Sequence, residues 1–156
     1  MQLDWVALFK RYVGDDLRTP YFVAVERLSR VQANYELFTY TVILTALFSV
    51  IGLASLSPSL PHGDTVTVSV YAFIIAGSAI AFGITKSPIA GAVCATAPIG
   101  ALIYFAAFGF HPGAGTSDKI FQVVIALLWL RYSWRIVKIA RVYPTLPSAN
   151  PDKTEP

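Results

Sequence analysis

The chain has 156 residues, 55% hydrophobic and only 13% charged, with a net charge of +3 and a mean hydropathy of +0.58. That length holds one domain. The apolar excess and the shortage of charge exclude an ordinary soluble globule and a disordered chain, and leave a membrane protein.

The single cysteine, Cys94, rules out an intrachain disulfide and stands in an apolar run as a small packing residue. The cations are not gathered on a soluble domain, so nucleic acid is not an expected partner. No cleavable leader is expected, because the first long apolar run begins near residue 37, behind five Lys and Arg residues.

Residues 1–35 read as a cytoplasmic amphipathic arm. Trp5, Phe9 and Tyr12 recur at helical spacing, with Lys10 and Arg11 off that stripe. Such a helix either lies on the lipid surface with Trp5 and Phe9 as anchors, or packs on the inner face of the bundle. Gly14-Asp15-Asp16 breaks it. Thr19-Pro20 then opens a second helix that is expected to run unbroken into the first span, with Glu26 and Arg30 as an i, i+4 pair on it.

Charge-free runs locate the spans. Uncharged stretches of 27, 21 and 31 residues separate Glu36, Asp64, Lys86 and Asp118. Each holds the ~20 residues that cross a hydrocarbon core. The predicted spans are 37–56, 66–84 and 89–110. A fourth, 119–138, has only 11 uncharged residues between Lys119 and Arg131. It spans if Arg131 and Arg135 reach toward one interface. Four spans put 11 of the 12 cations on one side, with Lys119 alone on the other. The positive-inside rule therefore favours four spans with both termini cytoplasmic, in a multi-pass protein of a cell membrane, here a bacterial inner membrane.

Boundary residues agree with these limits. Pro58 and Pro61 end the first span, and Asp64 caps the second. Ser87-Pro88 opens the third, and Ser117 or Asp118 caps the fourth. Pro144, Pro147, Pro151 and Pro156 mark residues 144–156 as a disordered tail. The fold class is an all-α integral membrane protein: a four-transmembrane-helix bundle over 36–143, with an amphipathic N-terminal helix.

Inside the spans, small and hydroxyl residues recur at four-residue steps. Examples are Thr41, Thr45 and Ser49, followed by Gly52; Gly77 and Ala81; Ala92, Thr96 and Gly100. These are helix-packing faces before they are a pore lining. Pro98, in mid-span, frees the carbonyl of Cys94 and predicts a kink.

Two constellations carry candidate sites. Glu36 and Arg131, or Arg135, sit at the inner ends of the first and last spans and are expected to form a structural ion pair. Arg131, Arg135 and Lys138, with Arg141, form a basic stripe that suits anionic lipid or a partner, although the positive-inside bias alone accounts for such charges. Outside, His62 and Asp64 in one loop and His111 and Asp118 in the other are weak metal-ligand candidates, without any known ligand spacing.

No catalytic, phosphate-loop or cofactor motif is present, and no Asp, Glu, Lys or His falls in mid-span. The expected function is therefore non-enzymatic and cofactor-free: an accessory, assembly or lipid-interacting subunit whose partners are membrane lipids, other membrane proteins or itself. The alternative is an oligomeric passive transporter or pore. A hydroxyl-lined water path would favour the pore; hydroxyls bonded back to their own helices would favour the accessory subunit.

Overall fold

The computed structural model describes residues 21, 23–58, 66–110 and 113–148. Among them there is no β-strand. A short 3-10 turn at Val25–Arg27 leads into α1 (Arg30–Ala54), followed by α2 (Val66–Thr85), α3 (Pro88–Cys94), α4 (Ala97–Phe108) and α5 (Thr116–Val142), with a closing 3-10 turn at Tyr143–Thr145. Four helical segments are long and apolar enough to cross a membrane, with α3 and α4 together making the third. The arm before Tyr21, including Trp5 and Phe9, lies outside the described residues.

The start of α1 differs from expectation. Leu28 and Ser29 are extended, so no helix runs unbroken from Pro20. Glu26 and Arg30 therefore do not share a helix face. Instead Ser29 and Gln32 form a reciprocal capping box: the Gln32 amide donates to Ser29 Oγ at 3.2 Å, and the Ser29 amide donates to Gln32 Oε1 at 2.9 Å. The helix starts seven residues before the predicted span, and Glu36 falls in its second turn.

The remaining ends follow local chemistry. Ser87 holds the N-cap position ahead of Pro88 but makes no side-chain cap bond. Gly115, rather than Ser117 or Asp118, is the N-cap of α5; its amide donates to Asp118 Oδ2 at 3.0 Å. Gly109 closes α4 at φ +77, a conformation that glycine adopts without cost. Lys86 closes α2 at φ +55, where a side chain is strained, and its ammonium donates to the Gly83 carbonyl. Burial lowers the Lys86 pKa from its ordinary value.

The helices form a closed up-and-down ring. α1 touches α2 and α5, α2 touches α3, and α5 touches α3 and α4. The α1–α2 pairing is the most extensive. Ala72, Ala76 and Ala79 of α2 are buried, and such small side chains let two backbones approach closely. The α1–α5 seam is sparser, because bulky rings stand between the helices. Phe48 meets Trp129 at a centroid distance of 6.2 Å, and Tyr40 meets Tyr132 at 6.0 Å.

Leu37, Leu44, Ile75, Phe82 and Ile136 fill the core. The outer faces are as apolar as the interior: Ile43, Val50, Leu53, Ile84, Ile103 and Leu128 are all more than half exposed. A monomer in water rarely exposes so much apolar surface, whereas a bundle in lipid must.

The predicted tail is partly ordered. Leu146 is buried, the Arg30 amide donates to the Pro147 carbonyl at 2.8 Å, and Arg30 Nη2 donates to the Pro144 carbonyl at 2.9 Å. Residues 144–148 therefore belong to the bundle, held because Leu146 supplies an apolar side chain between two prolines. Residues 149–156 lie outside the description. This clasp also places the start of α1 and the end of α5 at one end of the molecule.

Candidate functional site

The polar groups of the interior concentrate on the α1–α5 seam. The Glu36 side chain is fully buried, and Arg135 meets it with both prongs: Nε to Oε1 at 2.7 Å and Nη2 to Oε2 at 3.2 Å. Tyr132 stands beside the same carboxylate. A carboxylate without water is tolerated only when paired in this way.

The partner is Arg135 and not Arg131. The antiparallel register sets Tyr40 against Ser133, so Glu36, one turn earlier on α1, comes level with the turn after Ser133 on α5. Arg131 is a turn too far along and is exposed. The basic stripe is split by the same rotation. Arg135 edges the core, while Arg131, Lys138 and Arg141 stay exposed beside Trp134. At ~100° per residue these four occupy one arc of about 80°.

One turn deeper, Tyr40 joins three helices. Its hydroxyl lies 2.9 Å from Ser133 Oγ and 3.4 Å from the Cys94 carbonyl. A hydroxyl donates once, so Tyr40 donates to the carbonyl and accepts from Ser133. The effect of Pro98 is larger than a kink: the third span breaks into α3 and α4 at Ala95 and Thr96. Tyr71 bridges the break from α2, with its hydroxyl 3.0 Å from Thr96 Oγ1. Its ring packs where a Cβ on Gly100 would come within 2.8 Å.

Beside these bonds a groove of about 470 Å³ opens sideways between α1 and α5. Tyr40 and Leu44 form its floor. Ile43 and Leu47 wall it on α1, and Trp129 and Tyr132 wall it on α5. The groove exists because the aromatic pairs hold the helices apart.

Of the outer metal candidates, Asp118 is engaged as a helix cap. His62, Asp64 and His111 lie outside the described residues, and no cluster of three potential ligands occurs among the described ones. Sequence reasoning missed Tyr40, Ser133, Trp129 and Tyr132. A signal for Tyr40 was present: the carbonyl orphaned by Pro98 required a donor from a facing helix.

Fold and composition together define a small all-α polytopic membrane protein. No family model matches the chain, and neither a curated protein nor a solved structure matches it.

Proposed function

We propose that this protein is a non-enzymatic accessory or assembly subunit of a membrane, which works by binding lipids and other membrane proteins. One observation supports this reading over a pore. Two hydroxyls expected to line a water path donate instead to their own helices: Thr41 to the Phe38 carbonyl at 2.9 Å, and Thr96 to the Val93 carbonyl at 2.7 Å. The polar atoms that do cross between helices are matched to each other, as Glu36 with Arg135 and Tyr40 with Ser133. The polar chemistry of this interior is spent on holding helices together.

The charge distribution supports a cytoplasmic placement for the clasped end. Among the described residues, that end carries seven cations (Arg27, Arg30, Lys86, Arg131, Arg135, Lys138 and Arg141), and the other carries only Lys119. A bacterial inner membrane is the setting we propose for this orientation.

The competing reading is an oligomeric passive pore. It draws on Gly77 and Ala81, exposed on α2, where a Cβ on Gly77 would meet nothing within 4 Å. A second copy can approach closely there. Native mass spectrometry from nanodiscs, with lipids and partners retained, tests both readings alongside solute flux into proteoliposomes. A heteromeric assembly without flux is the expected result. A partner-free homo-oligomer that conducts solute overturns it.

A further inference from the structure

The groove on the α1–α5 seam opens toward the surface that faces lipid in a membrane, and its walls are apolar. Ile43 and Leu47 on its rim are 61% and 42% exposed. From Thr39 to Leu47 it follows α1 for about 12 Å, in the direction that leads from the cationic end into the bilayer. An alkyl chain fits such a trough, whereas water gains little there.

Tyr21 and Thr39 complete the lining, and the charge beside it selects the rest of the ligand. Glu36 is already neutralised by Arg135. Arg131, one residue before the groove wall at Tyr132, is exposed and makes no ion pair among the described residues. Among the described residues, the clasped end sets seven cations against Glu26 and Glu36. An unspent guanidinium on the turn of α5 that walls an apolar trough complements a phosphate that carries a chain. Trp134, 57% exposed on the same arc, suits the headgroup level.

We propose that the α1–α5 groove holds one acyl chain of an anionic phospholipid from the leaflet at the clasped end, with the lipid phosphate held by Arg131. This deepens the lipid-binding part of the proposed function and rests on it only for the placement in a membrane. The chain lies over Tyr40 and Leu44 and covers the Trp129 ring. Binding tightens the sparsest seam of the bundle from outside.

The test uses Trp129 as the reporter. Full-length protein carrying Trp5→Phe and Trp134→Phe is placed in phosphatidylcholine bilayers. Trp129 emission is then titrated with phosphatidylglycerol or phosphatidylcholine bearing brominated acyl chains. Both lipids quench, and the anionic one is expected to bind about five-fold more tightly. Arg131→Gln removes that preference but leaves quenching by brominated phosphatidylcholine, which also reports that the variant is folded. Lys138→Gln, farther from the groove, keeps most of the preference. Ile43→Phe narrows the trough and weakens quenching by both lipids.

Equal quenching by the two headgroups overturns the proposal, as does a preference that survives Arg131→Gln. Absence of quenching by any brominated chain also overturns it, and indicates a groove filled by protein. None of these failures alters the flux and mass-spectrometric outcomes that decide the proposed function.

Discussion

The Tyr40 hydroxyl lies 3.4 Å from the carbonyl of Cys94, the group that Pro98, four residues later, leaves without its helical donor. A break in one helix is thus mended by a side chain from another. Tyr40→Phe removes the donor and leaves Ser133 without its acceptor. The expected cost is about 1–2 kcal/mol in reversible unfolding from mixed micelles. Pro98→Ala restores an amide to the same carbonyl, so it is expected to be more favourable by about 1 kcal/mol in the Tyr40→Phe background than alone. Strict additivity of the two substitutions would refute the link.

Two buried serines should respond in opposite ways. Ser133 is bonded to Tyr40, while Ser69 Oγ is buried without a hydrogen-bond partner. Ser133→Ala is expected to destabilise by about 1 kcal/mol, and Ser69→Ala to be neutral or stabilising, because it removes an uncompensated desolvation cost. The same unfolding titration reads both.

The Glu36–Arg135 pair makes the clearest non-additive case. Glu36→Met leaves a guanidinium at the buried seam, and Arg135→Met leaves a carboxylate with no access to water. Each single change is expected to cost about 3 kcal/mol, with the double change costing less than either. A double variant as unstable as the sum of the singles would show that the two charges do not depend on each other.

Gly100 and Gly77 separate packing from helix propensity. Gly100→Ala drives a methyl into the Tyr71 ring and strains its bond to Thr96, with an expected loss of about 1–3 kcal/mol. Gly77→Ala meets no neighbour within the chain and should gain up to about 1 kcal/mol from propensity. A loss at Gly77 in bilayers, but not in dilute micelles, would instead reveal a second copy on that face.

Lys86 gives a pH dependence with a definite sign. Burial lowers its folded-state pKa, so the folded protein holds that proton less tightly than the unfolded chain. Stability should rise with pH between the lowered value and the ordinary lysine value, and stay flat below it. Lys86→Gly removes this rise. It also relieves the φ +55 strain, with an expected gain of about 1 kcal/mol at neutral pH. A pH profile unchanged by the substitution would count against the desolvation argument.

Much of this architecture was legible in the sequence. Span number and order follow from the spacing of charges, and the apposition of the first and last helices follows from the up-and-down connection. The carboxylate that needed a partner, Glu36, was identifiable as well. Its partner was not, since Arg131 and Arg135 sit on neighbouring parts of one face, and only the rotation of α5 in the bundle decides between them. The start of α1 was written in the sequence as Ser29-x-x-Gln32, but Thr19-Pro20 offers an equally ordinary helix start ten residues upstream. The groove was the least visible feature. It arises from tilted aromatic pairs between two helices distant in sequence, and nothing in either helix alone predicts a gap.

The bond from Arg30 to the carbonyls of Pro144 and Pro147 makes the bundle a nearly closed circuit of chain. A short linker from Ser148 back to the residues just before Arg30 would complete that circuit, because the Arg30 amide already bonds the Pro147 carbonyl. New ends could then be opened near Gly113, where the chain turns between α4 and α5. The four helices would keep their neighbours while both termini moved to the opposite face of the membrane. Such a permuted protein would separate what the bundle needs from what its tails are for.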